Sequence, residues 1–385
     1  MTVQYIDTAA ELSSFCQQIA HTTWMTVDTE FLREKTYSPQ LCLIQVATEN
    51  TIACIDPIAL SDLTPILDLI YNPDIAVVFH AARQDLELLY LIRNELPTNV
   101  FDTQLAATVL GYGDQIGYGN LVKMCIDVDL DKAHSRTDWT KRPLDPDQID
   151  YAADDVRYLR DVYKLLSQQL ADKKRTHWLD DDFAILTSIE TYLVKPETMW
   201  RKVKGFGRLK GVQLAILQRL AAWREQRAVA SNRPRRWILK DDVLLDLAKL
   251  APESLDKFSL IRGLEANTIN RHGKELLAEI AAAKALPKEQ WPTVKKTQPL
   301  TPHQDSIVDA LMSLLRKYCI EQEIAPVAVA SRKDVEHMVA GETDIPLLQG
   351  WRKEIVGHHL QAFLNGELTI STDQNQLNTQ GKNIT

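Results

Sequence analysis

The residue pattern changes along the chain, and this change constrains the fold most strongly. Short β-type runs follow one another closely at 24–31, 41–47 and 51–55. Helical and apolar runs then alternate, in the order 60–71, 75–80, 84–94 and 100–103. Closely spaced strands favour an antiparallel meander, whereas strands separated by helices favour parallel additions to the same sheet. The pattern predicts an α/β first domain with a mixed sheet of three antiparallel and two parallel strands, flanked by helices.

The rest of the chain shows helical periodicity only. One long helix is predicted over 156–175, and no strand is predicted beyond residue 180. Segment 239–248 resembles segment 331–340 weakly, which indicates two related all-helical domains. The predicted division is a first domain (1–170), a helical connector (171–209), a helical domain (210–289), a linker (290–300), a second helical domain (301–371) and a disordered polar tail (372–385).

Composition indicates an ordinary globular chain, with 45% hydrophobic and 25% charged residues. No uncharged apolar run reaches the length of about 18 residues that a membrane span needs, and the first residues lack the features of a signal peptide. The five cysteines are scattered and form no C-x-x-C pair, which favours reduced thiols. We therefore expect a cytoplasmic, monomeric protein without a membrane partner.

Charge is distributed unevenly along the chain. Residues 1–170 contain 25 acidic and 12 basic side chains, whereas residues 200–240 contain 12 basic side chains and a single acid, Glu225. An acidic half joined to a strongly basic stretch is typical of a protein that handles a polyanion at a carboxylate-rich site.

Asp28 and Glu30 stand one residue apart at the end of the apolar run "WMTVDTEF". Side chains alternate between the two faces of a strand, so both carboxylates point to the same side. Two interpretations follow from the pair alone. Either water screens the two charges at a solvated strand end, or a divalent cation that prefers oxygen ligands lies between them.

Four more residues extend this pattern. Asp85 and Asp102 each follow an apolar run, and Tyr151 and Asp155 lie four residues apart on one helical face. Each also has a structural interpretation: the first two as helix N-caps or solvated strand-end acids, Tyr151 as a core or rim residue, and Asp155 as the partner of an arginine.

The order of these residues resembles the DEDD exonuclease superfamily in its tyrosine-bearing branch. The segments "DTEFLREKTYSPQLCLIQVA", "VFHAARQDLELL", "FDTQLAATVLGYG", "LDKAHSRTDWTKRPL" and "YAADDVRYL" resemble the bacterial ribonuclease D family over most of residues 20–165. The segment "LQRLAAWREQRAVASNRPRRWILKDDVLLDLA" resembles the HRDC domain, a small helical module that binds nucleic acid. The last helical region resembles a second, more divergent copy.

The resemblance implies a fold, an activity and a set of roles. The fold would be a ribonuclease H-like exonuclease domain followed by two HRDC-type domains. The activity would be 3′→5′ exoribonuclease hydrolysis that releases 5′-mononucleotides, with tRNA precursors carrying 3′ extensions among the substrates. Two divalent ions, Mg²⁺ or Mn²⁺, would bind, with Asp28 shared between them, Glu30 and Asp155 on the first and Asp85 on the second. Tyr151 would orient the attacking water, while Asp102 would remain a structural residue at a strand end.

Two groups of residues are candidates for RNA contacts. The loop "DKAHSRTDWTKRPL" offers Lys132, Arg136, Trp139 and Arg142. These cations would hold phosphates, and the tryptophan would either stack on a base or anchor the loop. The basic stretch offers Lys202, Lys204, Arg208, Arg233, Arg235 and Arg236, unless it is only the solvated face of a helical domain.

Two alternative functions stay open at this point. Motifs shared across the superfamily do not separate an exoribonuclease from a 3′→5′ DNA exonuclease, because that choice depends on contacts to the 2′-hydroxyl. A non-catalytic RNA-binding protein is the second alternative, and the complete set of acids with Tyr151 argues against it.

Overall fold

The computed structural model describes residues 1–131, 137–294 and 299–381, and the predicted RNA contacts Lys132 and Arg136 lie outside these ranges. The described residues form two compact units. The first unit comprises 1–31, 41–192 and the part from 299 onward, and the second comprises 32–40 and the part that begins at 193.

The first unit is built on a six-stranded sheet with the order β1-β4-β3-β2-β5-β6. Strands β3 and β4 pair antiparallel, while the pairs β1–β4, β2–β5 and β5–β6 are parallel. The sheet is mixed, as predicted, but it has one more strand than the sequence pattern indicated, because the short run at Val3–Ile6 joins its edge. The strands are β1 (Val3–Ile6), β2 (Trp24–Leu32), β3 (Gln40–Ala47), β4 (Ile52–Ile55), β5 (Ala76–Phe79) and β6 (Val100–Asp102).

Within the described ranges, eight α-helices of the first unit precede residue 193. They are α1 (Ala9–Ile19), α2 (Thr64–Ile70), α3 (Arg83–Arg93), α4 (Thr103–Leu110), α5 (Tyr118–Ile126), α6 (Pro146–Arg157), α7 (Leu159–Asp172) and α8 (Asp180–Leu186). The prediction of a single helix over 156–175 is wrong in one respect, because the helical run is divided at Tyr158. Helix α6 begins earlier than predicted, at Pro146, after a capping box formed by Asp145 and Gln148.

The second unit is helical and has its own hydrophobic core, to which Leu220, Leu247 and Leu276 contribute. Residues 32–40, from the end of strand β2 to the start of strand β3, also belong to this unit. Asn232 Oδ1 accepts hydrogen bonds from the backbone N–H groups of Tyr37 and Ser38, at 3.1 and 3.0 Å. The α-helices are α9 (Val212–Ala230), α10 (Arg235–Ile238), α11 (Asp241–Leu250) and α12 (Ala266–Ala285).

The C-terminal helices return to the first unit. They share one hydrophobic core with α4, α5 and α7, and the ring of Trp351 stacks on that of Trp178 with centroids 4.8 Å apart. The prediction of a disordered tail over 372–385 is wrong up to Gly381, because residues 368–381 form a two-stranded hairpin. The elements are α13 (Pro302–Glu321), α14 (Pro326–Val329), α15 (Arg332–Val339), α16 (Gly350–Arg352), α17 (His358–Leu364), β7 (Leu368–Asp373) and β8 (Gln376–Gly381).

Within the described ranges, every helix is too short or too polar to cross a lipid bilayer.

Candidate active site

Strand β2 places Asp28 and Glu30 on one face of the sheet. Met25 and Val27 are fully buried in the core on the opposite face, so the alternation of the strand turns both carboxylates away from that core. Thr26 lies on the same face as the acids, and its hydroxyl donates a hydrogen bond to the carbonyl of Val156 at 3.0 Å. This bond ties helix α6 to the strand that carries the acids.

Helix α6 supplies Tyr151 and Asp155 to the same face. Carboxylate oxygens of Asp28, Glu30 and Asp155 all lie within 4.8 Å of one another, a spacing that allows them to hold a common metal ion. The structure therefore brings together three of the four acids that the sequence pattern selected as metal ligands.

The fourth acid, Asp85, lies in the first turn of α3 and is 6% exposed. Thr29 stands between the two acids of β2, and its hydroxyl donates a hydrogen bond to Asp85 Oδ1 at 2.5 Å. Thr29 was not among the predicted site residues. A hydroxyl residue within the D-x-E motif was the available signal, since a buried carboxylate needs donors.

The pKa values of the four acids are all raised. Burial is the largest cause for each of them, and repulsion by neighbouring carboxylates adds to it, which for Asp85 comes from Asp102. The pKa of Glu30 rises to about 8, those of Asp85 and Asp155 rise to about 7, and that of Asp28 lies well above its ordinary value. A divalent cation would relieve this repulsion, and carboxylate oxygens are ligands that Mg²⁺ and Mn²⁺ prefer.

Tyr151 borders the carboxylates and is held by an aromatic neighbour. Its ring stacks with that of Trp139, with centroids 6.4 Å apart and an interplanar angle of 28°. Burial, followed by the charges of Asp155, Glu30 and Asp28, raises the pKa of Tyr151 to about 12. The hydroxyl therefore keeps its proton at neutral pH, and it can donate a hydrogen bond but not act as a base.

Asp102 has the structural role expected for it. Its carboxylate caps helix α4 by accepting from the backbone N–H of Gln104 at 2.7 Å. It also accepts from the N–H groups of Ala81 and Ala82, at 3.1 and 2.9 Å. These bonds fix the turn between β5 and α3, and so they fix the start of the helix that carries Asp85.

Two of the predicted RNA contacts in the loop 131–144 need correction. Trp139 is 4% exposed, so its ring is a buried neighbour of Tyr151 and is not available to stack on a base. Arg142 donates twice to Asp56, at 2.6 and 2.8 Å, and its other N–H groups donate to the carbonyls of Cys42, Trp139 and Lys141. With all five donors used inside the protein, this guanidinium holds the loop to the sheet and does not contact phosphate.

The basic stretch divides into paired and exposed cations. Arg235 forms a salt bridge with Glu225, which is 1% exposed, so the prediction that Arg235 contacts RNA also needs correction. Salt bridges also hold Arg219, Arg224 and Arg227. The other predicted contacts are exposed and have no salt bridge to another described residue: Lys202, Lys204, Arg208, Arg233 and Arg236.

Comparison with known families places two domains on this fold. Residues 3–171 match the model of a 3′-5′ exonuclease domain, and residues 213–280 match that of the HRDC domain. The first range contains all four acids and Tyr151. The second corresponds to α9–α12 of the helical unit.

Curated relatives match the chain over nearly its whole length. Ribonuclease D of Bartonella henselae is 38% identical over 98% of this chain and 94% of its own. Ribonuclease D of Jannaschia sp. is 40% identical over 95% of this chain and 96% of its own. The chain belongs to the ribonuclease D family. Membership makes it an enzyme, a 3′-5′ exoribonuclease whose family uses divalent metal ions.

A solved structure agrees with this assignment. The crystal structure of Escherichia coli RNase D, described as an exoribonuclease involved in structured RNA processing, superposes with a TM-score of 0.83. The two proteins are 31% identical, and the match covers 95% of this chain and 99% of the other. The ribonuclease D fold therefore extends through both units.

Proposed function

We propose that this chain removes nucleotides one at a time from RNA 3′ ends and releases 5′-mononucleotides by two-metal hydrolysis. The observation that carries the proposal is the convergence of Asp28, Glu30 and Asp155 beside Tyr151, with Asp85 held next to them through Thr29. Acids so close together, with raised pKa values, suit cation binding better than a solvated strand end.

The four carboxylates have separate roles in this proposal. Asp28 would contribute to both ion sites, Glu30 and Asp155 would complete the first, and Asp85 would complete the second. Two divalent ions, Mg²⁺ or Mn²⁺, supply Lewis-acid stabilisation of the attacking and the leaving oxygen when they are bound. Thr29 would position Asp85 by donating to its Oδ1.

Tyr151 orients the water that attacks the terminal phosphodiester. Its pKa of about 12 keeps the phenol protonated, so the hydroxyl positions by hydrogen bonding and does not remove a proton. The buried ring of Trp139 restricts the orientation of the Tyr151 ring. Trp139 is thus a positioning residue in the proposal.

We further propose that the substrates include tRNA precursors with 3′ extensions, and that residues 301–371 form a second HRDC-type domain. Support for an RNA substrate comes from the full-length relatives and from the exposed cations of the HRDC domain. Location in the cytoplasm and a monomeric state stay predictions.

The decisive experiment incubates the purified chain with 5′-labelled RNA and DNA oligonucleotides of one sequence, with Mg²⁺ or with EDTA. We expect stepwise shortening of the RNA from its 3′ end, only with the metal, and 5′-mononucleotides as the product. Asp28→Asn is the inactive control. Preference for DNA would favour the superfamily alternative, and binding without shortening would favour a non-catalytic protein.

A further inference from the structure

An exposed tryptophan lies among the cations of the HRDC domain. Trp237 of α10 leaves 61% of its surface accessible. Within the described ranges, no side-chain hydrogen bond, ring contact or cation contact engages its indole. Exposure of so large an apolar surface is costly unless a ligand covers it, and tryptophan is enriched where proteins bind partners.

The neighbours of this indole are positively charged. Arg236 precedes it in the sequence, Arg233 precedes the helix, and Lys240 follows it, and all three are exposed. No salt bridge joins them to another described residue. The surface around the ring therefore favours a polyanion over an apolar protein segment.

The segment that presents the indole is held firmly from its inner side. Arg235 pairs with the buried Glu225, and its guanidinium lies 5.3 Å from the centroid of the Tyr37 ring. The Tyr37 hydroxyl donates to the same carboxylate. Leu239, immediately after α10, is buried, and its carbonyl accepts from Arg224 at 2.9 Å.

Because Arg235 and Leu239 are held by contacts inside the domain, the backbone that carries Trp237 is fixed before any ligand binds. Arg235 and Leu239 point into the domain, while Arg236 and Trp237 remain at the surface between them. A rigid aromatic ring beside free cations is the arrangement that binds single-stranded nucleic acid, because the ring stacks on a base while the cations contact phosphates. Stacking of this kind tolerates any base.

We propose that Trp237 is a stacking site for an unpaired base of the RNA substrate, with Arg233 and Arg236 on the adjoining phosphates. This inference rests on the proposed function, since it assumes an RNA substrate. It adds a contact to a base, a role that the sequence left open for Trp139 beside that of a loop anchor. A duplex without unpaired bases would not use this site.

The test measures binding by the full-length chain in EDTA, so that the RNA is not cleaved. Two ligands of equal length are compared: an oligouridine and a ribose–phosphate chain that lacks bases. We expect Trp237→Leu to weaken oligouridine binding by about 10-fold and to leave binding of the chain without bases unchanged. Trp237→Phe should retain most of the affinity, because phenylalanine preserves an aromatic face.

Leu260→Ala is the matched control, since Leu260 is 71% exposed on the same unit but lies outside the basic stretch. It should not change either affinity. Equal affinity of wild type and Trp237→Leu for oligouridine would overturn the inference, and so would an equal loss for both ligands. Metal-dependent shortening of RNA by the wild type, alongside either result, would leave the proposed function standing.

Discussion

At the residue scale, the candidate active site depends on like charges held close together. Burial and repulsion by neighbouring carboxylates raise the pKa values of Asp28, Glu30, Asp85 and Asp155, and a hydrogen bond from Thr29 partly offsets the rise at Asp85. Such a cluster lowers the stability of the metal-free fold and raises its affinity for a cation. We therefore expect that removing the charge of one of these carboxylates lowers activity and raises the stability of the metal-free fold.

The first prediction concerns Asp28→Asn. In Mg²⁺ the variant should lose nearly all hydrolysis, because Asp28 contributes to both proposed ion sites. In EDTA it should be more stable than the wild type at pH 8, since the wild type must either hold Asp28 ionised among neighbouring carboxylates or bind a proton there. Carboxylates with raised pKa values stabilise the fold at low pH, and that contribution is lost as the pH rises through about 7 to 8. The gain in Tm should therefore grow between pH 5 and pH 9.

Thermal unfolding in EDTA across this pH range measures the effect. Glu34→Gln neutralises an exposed acid on the loop 32–40 and should leave both activity and the pH profile of Tm unchanged. Full activity of Asp28→Asn in Mg²⁺ would contradict the two-metal proposal.

The second prediction concerns Tyr151→Phe. Loss of one positioning hydrogen bond should lower kcat by roughly 10²–10³-fold, while RNA affinity in EDTA should barely change. The rate should not acquire a new dependence on pH below 10, because the wild-type hydroxyl stays protonated there. Tyr112→Phe is the control: it removes a hydroxyl that is bonded to Gln169, and kcat should be unaffected. An unchanged kcat in Tyr151→Phe would make Tyr151 a purely structural residue.

At the scale of elements, the sequence patterns correctly predicted the strands and helices that depend on residues close together in the chain. Strand β2 and the helical face that carries Tyr151 and Asp155 are where the alternation and the four-residue spacing placed them. Strand β1 was missed because its four residues form a strand only by pairing with β4, 49 positions away in the register Val3–Ile52. The C-terminal hairpin was missed because its residues are mostly polar and exposed.

The site was less predictable where a side chain has a distant partner. Arg142 stands in a basic loop, but its carboxylate partner, Asp56, lies 86 residues earlier in the chain. Arg235 stands among other cations, but it pairs with the single acid of that stretch. The sequence shows which charged side chains a segment contains, whereas only the fold shows which of them are paired within the protein.

The third prediction tests Arg142 as a structural element of the loop. Burial alone would raise the pKa of Asp56, but hydrogen bonds from Arg142 and Tyr5 outweigh it and lower the pKa below its ordinary value. Arg142→Gln leaves a nearly buried carboxylate without its cation and should cost about 3 kcal/mol at pH 7. A lowered pKa stabilises the fold above the ordinary pKa of the group and loses that effect in acid. The difference between wild type and variant should therefore narrow below about pH 4.

Denaturant unfolding at pH 7 and pH 3.5 measures this difference. Arg93→Gln is a matched control, because its partner Asp68 is largely exposed and the pair should contribute at most about 1 kcal/mol. If Arg142→Gln instead kept its stability and lost RNA affinity, Arg142 would be a phosphate contact after all.

At the scale of the whole molecule, the acidic side chains of the proposed active site and the basic side chains proposed to bind RNA lie in different parts of the chain. The first 170 residues carry a large excess of acids, whereas the stretch from Arg201 to Lys240 carries a large excess of basic residues. Four of the twelve basic residues in that stretch are held in salt bridges, so fewer are available for RNA than the sequence suggests. The remaining exposed cations are Arg201, Lys202, Lys204, Arg208, Lys210, Arg233, Arg236 and Lys240.

The fourth prediction concerns this cationic surface. Arg233→Glu combined with Arg236→Glu should raise KM for RNA and flatten its dependence on salt, because each lost phosphate contact to a single strand changes the log–log slope by about 0.7. Arg235 is left intact, since reversing it would place a second carboxylate beside the buried Glu225. Turnover at saturating RNA should stay the same, because these cations act in binding and not in the chemical step.

The control, Lys274→Glu with Lys288→Glu, reverses two exposed charges of the same unit outside the stretch and should leave the slope unchanged. Equal slopes for wild type and both variants would show that RNA is bound elsewhere, and the cations of the loop 131–144 would then be the next to test.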